Sequence, residues 1–574
     1  MELVNNGPPP NVITTTTKPG FRVAKNENVD VRPLASFHPS LWGDYFITNP
    51  SLLSTHQEPE EQMKQRVQVL VKNVKILIKD ARGSMIEEMQ LIDALQRLGV
   101  AYHFEQEINE VLCSINNNSS SHHPYSDDDL HFVALRFRLL RQHRYYVPPD
   151  VFNQFKDEKG KFKEEVSNDL KGMLSLYEAA YLGIPGEDEL DEAINFTRSH
   201  LQSLMKHQGP RLAQKIEHAL ETPLRRRMSR LDARLYISVY EGDTEIRNDV
   251  VLELAKLDFH ILQLLHREEA KRISIWWKDV GVPTKLTFAR DRIVELCFWA
   301  LGVYFEPQYS RARMMLVKVI AILSLMDDVY DSYGTMPELQ HVTDAIQRWD
   351  LKAADEMENC LRIAFHAIYQ TMGELEDEVL KDGNLYRIDY LRREFGKMAI
   401  VYLEEAKWRD ECYLPSLAEH LELSLKTSAY HVVACATFLG IGEIAGKQSF
   451  DWVTRFPQII KDVCKISRLM DDVGGYEIDV KMGRQHVVST IHCCMNEFGD
   501  SLEEAKARLL HLVEDAWKDI NKECLHLTIP SALLVRLVNL GCVMETIYRK
   551  VDGYTESSSL KNSISLLLVK PILC

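Results

Sequence analysis

The chain has 574 residues, of which 45% are hydrophobic and 26% charged, a balance that excludes a fibrous or largely disordered protein and allows more than one buried core. A formal net charge of -16 with no long basic arm argues against nucleic acid or an anionic membrane as partner. Eleven cysteines without a CxxC pair argue against zinc and disulfide frameworks and for a reducing compartment, and no run of eighteen uncharged apolar residues suggests a membrane-spanning helix.

Residues 1–31 are rich in Pro, Thr and Asn and lack the apolar core of a secretory leader, so they read as a disordered tail on a cytoplasmic protein, with a plastid transit peptide as the weaker alternative. From there helical periodicity dominates. The segments EEQMKQRVQVLVKNVKILIKDA (60–81) and MIEEMQLIDALQRLGVAYHFEQEINEVL (85–112) repeat apolar residues three and four apart, and breakers such as Tyr146-Val147-Pro148-Pro149 and Gly183-Ile184-Pro185-Gly186 fall between helices. An all-α fold in two helical domains is expected. The polar stretch Asn116–Asp129 reads as an exposed loop, and its acids Asp127 to Asp129 as a solvated loop or helix start. A boundary near residue 250 follows the polar run Glu241–Asp249, which divides the chain into 32–250 and 251–574.

Chemistry is expected in the second half. Asp327, Asp328 and Asp331 form a DDxxD cluster at the end of the apolar run LVKVIAILSLM (316–326), and residues four apart on a helix share a face about 6 Å apart along its axis. Carboxylates at the edge of a buried helix are costly unless they hold cations, and Mg2+ is commonly held by a few carboxylates, waters and substrate phosphates. A phosphorylated substrate is therefore expected. The motif recurs by chance in long chains, so its context has to decide. A second acidic patch follows another periodic stretch: Asp471, Gly475 and Asp479 stand four apart on one face, and facing helices of a bundle can bring two such edges together. Arg290 and Arg292 bracket Asp291 in FARDRIVEL and Arg468 lies one turn before Asp471; each offers a guanidinium fork for a diphosphate.

Taken together, Arg32-Pro33 with Trp42 after eight further residues, then MLSLYEAAYLGIPGEDELDEAINF, FARDRIVE, DDVYDSYGT, RLMDD and VDGYT, in that order over nearly all of the chain from Arg32, resemble a plant terpene synthase of the angiosperm sesquiterpene branch. The resemblance implies a class I α-bundle after an N-terminal α-barrel that has lost its own chemistry; the DxDD acid motif of class II cyclisation is absent, and Asp188 and Asp191 do not supply it. It implies Asp327, Asp328 and Asp331 as the first metal motif and Asp471, Gly475 and Asp479 as the second, with Mg2+ as the ion and Mn2+ as a possible substitute. Arg290, Arg292 and Arg468 would grip diphosphate, and Arg32 would help to cap the closed site, where water would quench a carbocation.

Trp299 and Tyr554, and less directly Tyr430 and Tyr548, are the aromatic faces expected to stabilise cations. Asp552 is placed to influence Tyr554 and deprotonation, and Lys426 to Tyr430 to mark a helix break at the pocket. The second motif departs from the family pattern, which often has Ser or Thr at Gly475 and ends in Glu where Asp479 stands; the segment Val480–Gln485 also looks slightly long. The implied activity is Mg2+-dependent ionisation of farnesyl diphosphate and cyclisation of the cation by a monomeric enzyme. A monoterpene or diterpene synthase acting on geranyl or geranylgeranyl diphosphate, a chain-elongating isoprenyl diphosphate synthase and a catalytically impaired homologue that keeps the fold as an interaction scaffold are the alternatives.

Overall fold

The computed structural model describes residues 37–49, 59–117, 129–207, 209–482 and 488–572. The expected tail 1–31, Arg32 and most of the polar loop 116–129 lie outside these residues, as do three of the six positions in Val480–Gln485.

Among the described residues the fold is all-α, with one isolated bridge, between Lys156 and Phe162, in place of any sheet. In the first half, Glu60–Asp80 packs along the later helix Asp249–Val280, and Leu130–Gln142, Leu170–Ala180 and Asp188–Met205 form consecutive packed pairs. Asp129 begins Leu130–Gln142 as an N-cap, its carboxylate accepting the Phe132 amide, which agrees with the expected helix start and satisfies one of the amides a helix leaves open.

Eight helices of the second half matter for the site: α1 (Asp249–Val280), α2 (Ile293–Val303), α3 (Ser310–Ser332), α4 (Tyr386–Asp410), α5 (Tyr430–Thr437), α6 (Gln458–Lys481), α7 (Leu502–His526) and α8 (Ser531–Tyr548). The polar run before residue 250 ends in an Asn248 N-cap whose side chain accepts the Val250 and Val251 amides, so α1 starts where the boundary is expected. It then packs against helices of both halves. α2, α3, α5, α6 and α8 surround a central space, with α4 closing one side and α7 lying outside α6. α2 is buried at every position, which explains an apolar sequence with little helical amphipathicity. Among the described residues α8 alone is long and apolar enough to cross a membrane; most of it is buried in the bundle, as expected of a core helix.

The Arg225–Arg227 cluster fastens the halves together. Arg226 forks onto Glu514 of α7 at 2.6 and 2.5 Å, and Arg225 donates to the Asn521 side chain at 3.1 Å. Arg227 turns inward to Asp232 and Glu178. Asn521 completes the seam with 3.0 Å bonds to the Tyr181 and Gly183 carbonyls, and Asp191 pairs with Lys518.

Candidate active site

The motif acids sit on two edges of the central cavity. α3 is buried through Met326 and brings Asp327 and Asp331 to its partly exposed edge while Asp328 turns inward, 1% exposed. α6 presents Asp471 on the facing edge, with Gly475 and Asp479 further along the same face. The cavity between them is lined by Asp327, Arg290, Arg468 and Asp471 at its polar end and by Trp299, Tyr430, Tyr548, Tyr554, Ile320, Leu323 and Val433 deeper in. One end thus suits an anion held through cations, and the other an apolar chain.

Arg290 ties the first motif together. It precedes α2 in a non-helical segment and reaches across to α3, where its Nη2 donates to Asp327 Oδ2 at 2.5 Å and its backbone amide to Asp328 Oδ2 at 2.8 Å. Its Nε lies 2.8 Å from Asp328 Oδ1 as an ion pair, although that N–H is not aimed to make a hydrogen bond. The two aspartates raise its pKa against the effect of burial. Its guanidinium also lies 5.0 Å from the Tyr554 ring centre. Arg468, one turn before the second motif, donates to Asp472 at 3.2 Å and stands 3.7 Å from Asp471. Asp472 is held in turn by the Thr490 amide and hydroxyl.

Arg292, expected to grip diphosphate, is placed away from the cavity. Only 1% exposed, it donates to the carbonyls of Tyr554, Thr555 and Asp291 at 3.0, 3.1 and 2.9 Å, and it does not line the cavity. Its charge-assisted bonds pin the C-terminal turn that carries Asp552 and Tyr554. Arg292→Ala is accordingly expected to lower stability by about 3 kcal/mol, since it strips partners from buried carbonyls and opens space in the core; urea unfolding monitored by circular dichroism measures it, and a loss under about 1 kcal/mol would refute the pinning role.

The four aromatic candidates converge. Trp299 lies at their centre, with the Tyr554, Tyr430 and Tyr548 rings at centroid distances of 5.9, 6.0 and 6.5 Å. Tyr554 is fixed by a 2.7 Å hydrogen bond to Ser324 Oγ, so its face is held on the cavity wall. The helix break is present as well: Leu417–Thr427 ends and α5 begins around Ala429, whose φ of 60° is left-handed. A Cβ in that region costs roughly 1–2 kcal/mol. Ala429→Gly is expected to recover part of that strain, net of glycine's greater unfolded-state freedom, and raise stability by about 0.5 kcal/mol; a lowered thermal midpoint would count against strain at this break.

Sequence reasoning missed Tyr402 and Glu405 on α4. Tyr402 lines the cavity beside Asp327. Glu405 is partly buried and accepts a 2.9 Å hydrogen bond from Thr427; desolvation lifts its carboxyl to about 8, opposed by Arg468 and reinforced by Asp331 and Asp327. The signal that could have found it is its place one turn along the helix from a buried tyrosine, but its neighbour Glu404 is equally acidic and only pairs with Lys407 at the surface.

The donor set fits a hard divalent cation in chemistry: partly exposed carboxylates on two facing edges, Asp327 and Asp471 with side chains 28% and 35% exposed, the Asp471 carboxyl held well above the ordinary range by desolvation and then by the charge of Asp552. Among the described residues no three candidate ligands already converge on one point. That is consistent with an ion such as Mg2+, which keeps several waters and takes oxygens from substrate phosphates.

A two-layered helical chain whose second bundle opposes carboxylate edges over an aromatic cavity defines a class of enzyme that handles phosphorylated apolar substrates. The family models for "Terpene synthase, N-terminal domain" and "Terpene synthase family, metal binding domain" match residues 41–220 and 278–519. Over 552 residues the chain is 44% identical to (-)-germacrene D synthase of Vitis vinifera, covering 96% of this chain and 98% of that one. It is 45% identical over 546 residues to beta-eudesmol synthase of Zingiber zerumbet, covering 94% and 96%. Among solved structures, limonene synthase with 2-fluorolinalyl diphosphate superposes with a TM-score of 0.88 at 32% identity, covering 95% of this chain and 100% of that one. Isoprene synthase from grey poplar leaves (Populus x canescens), in complex with three Mg2+ ions and dimethylallyl-S-thiolodiphosphate, gives 0.82 at 32%, covering 89% and 97%. The chain belongs to the terpene synthase family. It is a metal-dependent terpene synthase that takes a prenyl diphosphate.

Proposed function

We propose that the protein is a sesquiterpene synthase that ionises farnesyl diphosphate and closes the resulting cation into a cyclic hydrocarbon or alcohol. The observation that carries this reading is the single cavity with a charged mouth and an aromatic interior: Arg290, Arg468, Asp327 and Asp471 at one end, Trp299 ringed by three tyrosines at the other. The sesquiterpene synthases among its relatives, germacrene D and beta-eudesmol synthases included, support the fifteen-carbon substrate.

Asp327, Asp331 and Asp471 would hold the ions, Mg2+ or Mn2+ in its place, and these supply Lewis-acid neutralisation of the leaving diphosphate. Arg290 and Arg468 are placed to take the diphosphate oxygens as the C1–O bond breaks and both its electrons depart with the leaving group. The rings of Trp299, Tyr430, Tyr548 and Tyr554 then offer π-faces to the carbocation, worth about 0.5–2 kcal/mol each depending on desolvation. Loss of a proton from carbon, or capture of water, ends the reaction. Branching among products turns on barrier differences of about 1.4 kcal/mol per tenfold in rate, which small shifts of these rings can supply.

A monomer is the proposed working unit; sedimentation of the active enzyme tests it. The ten described cysteines are all unpaired, which supports a reducing compartment such as the cytoplasm, to be tested with a fluorescent fusion of the full chain. The substrate is tested by incubating purified protein with Mg2+ and farnesyl, geranyl or geranylgeranyl diphosphate and identifying the volatile products. Farnesyl diphosphate should give the highest kcat/KM. A higher value with geranyl or geranylgeranyl diphosphate, or a product that retains diphosphate, would overturn the reading.

A further inference from the structure

We propose that Asp552 is a metal ligand, standing in at the second motif for the hydroxyl that Gly475 cannot provide, so that this edge is served by Asp471, Asp479 and Asp552. The inference rests on the reading of the site as one that binds divalent metal with diphosphate, and it begins from a cost in the sequence. Gly474 and Gly475 lie in the middle of α6, where each glycine destabilises a helix by roughly 1 kcal/mol relative to alanine. A Cβ on Gly474 would stand 2.5 Å from the Tyr548 carbonyl oxygen and 3.3 Å from the Val551 carbonyl carbon. Both are backbone atoms and cannot swing aside, so any side chain at 474 would lift the turn after α8 away from α6.

With glycine there the turn lies directly on the helix, and the Asp552 amide donates to the Gly474 carbonyl at 3.2 Å. That contact places Asp552 over Gly475. A Cβ built on Gly475 would meet Asp552 Cβ at 3.6 Å, Asp479 Oδ2 at 3.8 Å and Asp471 Oδ1 at 3.9 Å. The space of the missing side chain is therefore bordered by three aspartates, two from α6 and one from a turn reached only at the end of the chain.

Asp552 has a spare oxygen for the purpose. Its Oδ1 accepts the amides of Tyr554 and Thr555, both at 2.9 Å, while among the described residues its Oδ2 accepts no hydrogen bond, and the residue is 9% exposed. That oxygen is not among the fully buried atoms without a partner, so a hydrated cation can approach it. Arg290 across the cavity faces this group but is engaged with Asp327 and Asp328, and Arg468 of α6 is engaged with Asp472. Asp479 Oδ2 and Asp471 Oδ1 already border the space and Asp552 reaches it with its Cβ, so a small movement of one carboxylate would complete the oxygen donor set a hard divalent ion prefers.

The test uses Asp552→Asn, which keeps a carbonyl oxygen to accept the Tyr554 and Thr555 amides and removes the charged ligand. Mg2+ binding is measured by calorimetric titration of the full chain with inorganic diphosphate in excess, and the thermal midpoint is recorded without metal. We expect Mg2+ affinity to fall about tenfold or more, in the range seen when groups that tune a metal site are lost, with the metal-free midpoint close to that of the native protein. In the Gly475→Ser/Asp479→Glu background, where serine fits at ordinary contact distance and adds a hydroxyl, the same substitution should cost roughly threefold or less, because the two donors then substitute for each other. Asp552→Ser, which can also cap the turn, is the second variant should the asparagine protein fail to fold, with the same expectation.

Unchanged Mg2+ affinity in Asp552→Asn, or an equal loss in both backgrounds, would overturn the assignment, the second outcome meaning that Asp552 acts through the turn alone. The titration contains no prenyl group. A native protein that binds Mg2+ and diphosphate yet converts no farnesyl diphosphate would therefore sink the proposed substrate, while the comparison of variants would still decide the ligand.

Discussion

Asp327→Asn is expected to lower turnover of farnesyl diphosphate about 100-fold at saturating Mg2+ while leaving the fold intact. The side chain is partly exposed at the cavity and keeps its size on substitution, and its oxygen can still accept from Arg290 Nη2, now 2.5 Å away. What is lost is one negative charge beside the metal, and with it the electrostatic support for charge growing on the departing diphosphate. Removing a single preorganised group of this kind costs about 2.7 kcal/mol or more in the transition state, a factor of about 100 or more. Single-turnover ionisation under saturating substrate measures it, and near-native turnover would remove Asp327 from the metal-binding set. Asp328→Asn makes an instructive contrast. That carboxylate is buried against the Arg290 amide and guanidinium, so its loss should show first in the thermal midpoint.

The two asparagine variants separate by a distinction that DDxxD spacing does not carry. The motif and its apolar helix could be read from residues alone, because an acidic edge on a buried segment has few inexpensive explanations, and four aromatic residues proved to be neighbours as expected. The break at Ala429 was legible too, from the clustered Lys426, Thr427 and Ser428. Arg290 and Arg292, by contrast, look alike in FARDRIVEL. They differ because the segment before α2 turns one toward α3 and the other toward carbonyls 262 and 263 residues away in the chain, and no local pattern reports a partner at that distance. Glu404 and Glu405 show the same limit on a helix, where one residue of rotation separates a surface pair with Lys407 from a hydrogen bond to Thr427 at the cavity wall. Gly475 could be recognised as a departure from its family, but what fills the gap depends on how closely the turn after Tyr548 approaches Gly474, a matter of backbone packing between the far ends of the bundle.

Arg290→Ala is expected to be the most damaging single change at the site, because one guanidinium serves both the resting protein and the reaction. Its removal takes the guanidinium away from Asp328, a carboxylate only 1% exposed, while the backbone amide of residue 290 remains. Taking one partner from a buried ion pair costs about 3–5 kcal/mol, so the urea midpoint should fall well beyond what a surface arginine would give. The same substitution withdraws a cation from the mouth of the cavity, and turnover of the folded fraction should drop about 100-fold or more. Arg290→Lys separates the two effects. Lysine keeps the charge near Asp327 and Asp328 and should recover much of the stability, but a point charge cannot reproduce the fork that meets two oxygens at once, so the rate should stay at least about tenfold below native. Inhibition by inorganic diphosphate supplies a second readout, since a residue that holds the leaving group must weaken that inhibition when it is changed. If Arg290→Lys restored both stability and rate, charge alone would account for the residue; if Arg290→Ala kept native turnover and native diphosphate inhibition, Arg290 would be a structural clamp on α3 and Arg468 alone would be left to receive the diphosphate.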